Sequence, residues 1–235
     1  MSAQRLFRVA RFPVASVQYR NQHPDSTVEP RVKLLRHEDS SSAERLGIQG
    51  LECGIIGFAV GAPFAVLLAE QLFASGCKLL ISMTSAGRLK PVRPPPYFVL
   101  IERALRDEGT SYHYLPPTPF ANADKSLLDQ LSGAFDEVRT TVVRGAVWTT
   151  DAPYRETEAA IERRTRKGLL AVEMEAAALY AFAEARQKPV VCFAHVTNQM
   201  GQAGDFEKGE ADGATDALKV ILAAARRLGQ WPKCR

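Results

Sequence analysis

The sequence predicts an α/β fold: a single domain with a mixed, mostly parallel central sheet flanked by helices. Three observations predict it. The apolar run Leu51–Val60 passes through a glycine turn into a helix-forming stretch. Leu169–Gln187 repeats the pattern, with four apolar residues behind Gly168 followed by an Ala-rich run of high helix propensity. Apolar β-branched runs then alternate with helical ones along the chain, the order that builds one sheet with helices outside. A length of 235 residues suits one such domain with a sizeable core.

Composition narrows the function. Hydrophobic residues make up 46% and charged residues 24%, ordinary for a soluble globule. A net charge of +4, with a pI near 8.9, suits an anionic small substrate and is too weak to argue for nucleic acid. The basic run Arg163–Lys167 reads as a solvated helix end or loop. Cys53, Cys77, Cys192 and Cys234 form no C-x-x-C pair, and the four histidines have no ligand spacing, so no metal site is expected. Buried free thiols fit a reducing, cytoplasmic compartment. No apolar run is long enough to span a bilayer.

In chain order, residues 1–30 are the least readable. Arg5, Arg8, Arg11 and Arg20 precede the first acid, which suits a transit peptide, while the interleaved apolar residues between Leu6 and Val17 suit a first strand. Asn21–Pro30 reads as a loop. After Leu51–Val60 come Gly61, Ala62 and Pro63, then a helix Phe64–Ala74 stopped by Gly76. A strand, a glycine turn and a helix bring backbone amides toward an anion.

Cys77–Met83 reads as a strand, followed by Thr84-Ser85-Ala86-Gly87-Arg88-Leu89. Pro91–Pro96 is a connecting loop, Tyr97–Ile101 a strand, Arg106–Pro119 a loop, and Asp124–Phe135 a helix capped by Asn122 or Asp124. Thr140–Trp148 is a β-branched strand, and Thr149–Glu156 a loop carrying Tyr154, either a stacking platform or a packed surface aromatic. Pro189–Val196 is a strand ending in Thr197-Asn198-Gln199. Met200–Gly213 is a glycine-rich loop suited to a flap, and Thr215 caps a last helix to about Leu228.

The chemistry concentrates at Val172-Glu173-Met174-Glu175, between the apolar run and the Ala-rich helix. Strand-to-helix junctions are where open α/β sheets bind ligands. Glu173 and Glu175 read either as first-turn acids favoured by the helix dipole or as acceptors for a sugar diol, with the Met174 thioether against the sugar's apolar face.

Val-Glu-Met-Glu-Ala-Ala-Ala resembles the ribose-binding signature of the nucleoside phosphorylase family that includes uridine phosphorylase and the hexameric purine nucleoside phosphorylases. The resemblance runs from about Arg31 to Leu228. It implies that Glu175 and Met174 hold the ribose, with Glu173 in support. Val60-Gly61-Ala62-Pro63 resembles the family's Ile-Gly-Gly-Pro turn. Ser82–Leu89 resembles its phosphate loop, with Ser82 in place of an Arg, Thr84 in place of a Gly, and Ser85 keeping the phosphate hydroxyl. Arg88 is an added cation, either a replacement for the lost charge or a solvent-facing loop residue.

Arg45 resembles an arginine that reaches a neighbouring subunit's phosphate, or is a surface residue beside Glu44. The family's Gly-Asp-Pro-x-Arg loop has no counterpart here. Tyr154 falls in the base-pocket loop. Thr157 and Ala159 stand where pyrimidine-specific members carry Gln and Arg. Asn198 stands where adenosine-type members carry an acid; its amide donates and accepts but supplies no proton as an acid. The resemblance implies a nucleoside phosphorylase without cofactor, inorganic phosphate as co-substrate, catalytic roles for Arg45 and Asn198, and a homo-oligomer, dimer or hexamer. A nucleoside hydrolase and a non-catalytic nucleoside-binding homologue are the alternatives.

Overall fold

The computed structural model describes the backbone of residues 14–18, 46–48, 51–57, 59–138, 140–199 and 213–229, and the side chains of 54–57, 59–138, 140–197 and 213–229. Nine strands are described: β1 (Val14–Gln18), β2 (Leu46–Ile48), β3 (Leu51–Gly57), β4 (Leu79–Arg88), β5 (Tyr97–Asp107), β6 (Phe120–Asn122), β7 (Val142–Thr150), β8 (Ala171–Glu173) and β9 (Val190–Gln199). The described helices are α1 (Ala62–Ala74), α2 (Lys125–Gln130), α3 (Glu158–Arg166), α4 (Ala176–Arg186) and α5 (Ala214–Leu228). Arg45, Asn21–Pro30 and most of the Met200–Gly213 loop lie outside the described residues.

The sheet is mixed, as the sequence predicts, and it also closes on itself. β4 pairs with β8 and β9, β9 with β5, β5 with β7, and β7 with β8, which returns the ladder to its start. β1, β3 and β2 extend the sheet from the free edge of β4, and β6 adds to β5.

Strand alternation sorts the side chains. Leu79, Ile81 and Met83 of β4 pack with α5 and α2, while Leu80 and Ala86 pack with α1 and α4. Helix α4 is alanine-rich because it is nearly engulfed: Ala176 through Phe182 are all buried, and small side chains let it approach both the sheet and α1. The Tyr180 hydroxyl donates to Ile101 O at 2.6 Å and accepts from Cys192 N at 3.1 Å. The β5–β9 register ends at Leu100–Phe193, so Ile101 and Cys192 would form the next rung. The phenol is inserted where that rung would close.

Several boundaries differ from the sequence reading for physical reasons. β5 runs through Arg106 and Asp107 because Arg106 is buried: its guanidinium donates to Ser111 Oγ, Pro116 O, Thr118 Oγ1 and Leu115 O. Asp124 does cap α2, accepting from Ser126 N at 2.7 Å, but the helix stops at Gln130. α5 begins at Ala214, with Gly213 at the N-cap position and its φ of 79° setting the helix entry, so Thr215 lies inside the first turn rather than capping it. The basic run ends α3, a helix that the sequence reading had only as an option.

Candidate active site

Two acids two residues apart take different jobs at the β8–α4 junction. Glu173, the last residue of β8, is buried. Its Oε2 accepts the N–H groups of Glu175 at 2.8 Å and Ala176 at 2.7 Å. Those are orphan donors of the first turn of α4, so Glu173 caps the helix that follows it. Its other oxygen forms a short hydrogen bond with Thr149 Oγ1, which also accepts from Ala177 N at 3.0 Å. Thr149 and Glu173 are register partners of β7 and β8, which explains why the hydroxyl lies there.

Glu175 begins α4 but does not cap it with its own side chain. With that duty met by Glu173, its carboxylate reaches elsewhere. Oε1 accepts Gly61 N–H at 2.7 Å, and Oε2 accepts the Thr84 hydroxyl at 2.7 Å. Three separate elements therefore converge: the start of α4, the turn before α1, and β4. Gly61 has φ 85°, a left-handed conformation that an L side chain rarely takes, and this turn aims its N–H at the carboxylate. Thr84 lies on the face of β4 that looks toward α1 and α4, together with buried Ser82. Met174, between the two acids, is half-buried.

The electrostatics follow from burial. Desolvation pushes the Glu173 carboxyl up to about 8, and the neighbouring Glu175 charge adds to it, against the hydrogen bonds from Thr149 and the two amides. Desolvation also raises Glu175, opposed by Gly61, Thr84 and the Met174 backbone. In the loop after β7, desolvation pushes half-buried Glu156 up to about 7.

The other candidates are placed as follows. Ser85 is half-buried, and strand alternation turns it to the opposite face of β4 from Thr84. Arg88, at the end of β4, donates to Arg93 O at 2.7 Å and so leans on the proline loop. Tyr154, on a short 3-10 turn Pro153–Arg155, is 100% exposed and packs on nothing among the described residues. Asn198 has its backbone opposite Gly87, while its side chain lies outside the described set, as does Arg45 entirely. Ala86 pairs with Val196 and Gly87 with Asn198, so Thr197 is an extra residue, a β-bulge of the sort found beside active sites. The structure thus brings together Gly61, Thr84, Glu173 and Glu175, with Met174 between the acids. Thr149 was missed. Its only local signal was a threonine at the end of a β-branched strand.

Among the described residues no cluster of His, Cys, Asp or Glu could hold a metal ion, and no helix is long and apolar enough to cross a membrane. A family model described as "Phosphorylase superfamily" matches residues 35–226. A guanosine phosphorylase of Halorubrum lacusprofundi is 28% identical over 189 residues, 76% of this chain and 78% of the relative. A uridine phosphorylase of Thermococcus kodakarensis is 27% identical, covering 74% and 68%. A DeoD-type purine nucleoside phosphorylase of Streptococcus uberis is 26% identical, covering 74% and 75%. In fold, the chain is similar to a crystal structure of uridine phosphorylase from Vibrio fischeri, with a TM-score of 0.62 at 24% identity over 77% of this chain and 74% of that one.

Proposed function

The chain belongs to the phosphorylase superfamily, and from that premise we propose that it cleaves the N-glycosidic bond of a nucleoside with inorganic phosphate, releasing free base and (deoxy)ribose 1-phosphate. It is an enzyme of the pentosyltransferase type, and phosphorylases of this family need no cofactor, phosphate being the co-substrate. One observation carries the reading. Glu175 is a buried carboxylate beside a half-buried thioether, fixed by donors from two other elements. A carboxylate has about four acceptor positions. Two are taken by Gly61 and Thr84, which leaves capacity for a pentose diol.

The glycosidic bond breaks through an oxocarbenium-like sugar. In this reading Glu175 grips the sugar hydroxyls and Met174 packs on the ring. Glu173 and Thr149 hold the start of α4, and therefore the Glu175 backbone, in place. Phosphate attacks the anomeric carbon, with Ser85, Arg88 and Arg45 as its candidate ligands. Tyr154 and Asn198 are the candidates on the base side, where donors aimed at the departing base lower the barrier. The reading also includes a cytoplasmic homo-oligomer.

One observation favours a second reading, hydrolysis by water. Ser82, buried and neutral, stands where the resembled family carries a phosphate-binding Arg. A nucleoside panel assayed with and without phosphate decides between them. Strict phosphate dependence with formation of a pentose 1-phosphate supports phosphorolysis. Base release indifferent to phosphate supports hydrolysis.

A further inference from the structure

The inference rests on the pentose-clamp reading of Glu175 and concerns what holds that clamp in its working geometry. We propose that Thr84 is a positioning residue: its hydroxyl fixes the Glu175 carboxylate so that each oxygen keeps a free acceptor position for one hydroxyl of the pentose.

The geometry is specific. Thr84 Oγ1 is 2.7 Å from Glu175 Oε2 and 3.3 Å from Ser85 O. A hydroxyl has one proton, and an ionised acceptor at the shorter distance takes it. Gly61 N–H meets the other oxygen, so each oxygen has one protein donor. A carboxylate anchored at only one oxygen swings about its last torsion, which is broad. Anchored at both, it presents a fixed pair of remaining lone pairs. The Gly61 donor belongs to the main chain and resists substitution. Thr84 supplies the side-chain donor to Glu175 among the described residues. The resembled signature has glycine at this point of the strand, so the second anchor is a property of this sequence.

Thr84 acts through Glu175 and touches neither the anomeric carbon nor the leaving base. Its loss weakens sugar binding equally in the ground state and the transition state, which raises KM and leaves kcat alone. Thr84→Val keeps the volume and removes the hydroxyl. The expected result is a rise of about tenfold in nucleoside KM with kcat within about twofold, and Thr84→Ser returns KM to within about twofold of the parent. If Thr84→Val does not fold, Thr84→Ala, which adds no bulk, carries the same expectation. An unchanged KM in the hydroxyl-free variant, or a loss confined to kcat, overturns the positioning role. Cleavage by Glu175→Gln at the parent rate overturns the clamp reading itself, so the two failures are told apart.

Discussion

Glu173 Oε2 accepts the backbone N–H of Glu175 at 2.8 Å, so one acid of the pair holds the main chain of the other. Glu173 serves the start of α4, while the Glu175 carboxylate reaches across to Gly61 and Thr84. Because both are buried, the pair should govern how the protein responds to pH.

Glu173 is raised to about 8 in the folded chain against an ordinary value of 4.5. The native state therefore keeps a proton that the unfolded chain releases. Its contribution to stability is full below about pH 4.5 and is lost as pH rises toward 8, with a slope of at most about 1.4 kcal/mol per pH unit for one proton. Chemical denaturation between pH 5 and 9 should show stability falling through this window. Glu173→Gln, which has no proton to lose, should flatten the fall; an unaltered slope would assign it to other groups.

Glu175→Gln keeps the size of the side chain and one acceptor, but replaces the second oxygen with a donor. It should fold, as judged by circular dichroism, and lose roughly 100-fold or more in kcat/KM, the scale of one or two charge-assisted hydrogen bonds. The parent enzyme should also weaken toward acid pH, since burial raises Glu175 and a protonated clamp has one acceptor fewer. Nucleoside KM measured from pH 5 to 8 should fall as pH rises.

Tyr180→Phe removes the hydroxyl that stands between Ile101 O and Cys192 N. Either both groups are stranded in the core or β5 and β9 zip one rung further and pull α4 with them. The expected cost is about 1–3 kcal/mol, read as a lowered thermal midpoint. A midpoint equal to the parent's would mean that the rung closes without strain.

Tyr154 is fully exposed, so Tyr154→Ala should leave stability within about 0.5 kcal/mol. If the ring stacks on a bound base, nucleoside KM rises several-fold at unchanged stability. Equal KM values for the two proteins would remove Tyr154 from the base side.

The junction at Glu173–Glu175 was legible because its signals are local: an apolar run, two acids and a tract of alanines. The same holds for the Gly61 turn and for Asp124 as a cap. What escaped is non-local. Thr149 meets Glu173 only because β7 and β8 lie in register, and nothing near Thr149 announces it. The closure of the sheet depends on β9 pairing with both β4 and β5 and on β8 pairing with both β4 and β7, pairings between strands far apart in sequence. α3 carried a readable signature, Thr157 at its cap, Glu158 in its first turn and arginines in its last, but its exposed charged face hid the amphipathic period. The bond that Arg88 gives to Arg93 O was likewise not legible, because it depends on how the proline loop folds back against the end of β4.

The contacts that fix Glu175 span 114 and 91 residues of chain. A growing polypeptide emerging from the ribosome thus carries Gly61 and Thr84 long before their shared partner is made. Such distant pairings form late and slowly. The geometry around Glu175 is accordingly among the last features of the fold to be assembled, since neither of its anchors can engage before the β8–α4 junction has been made.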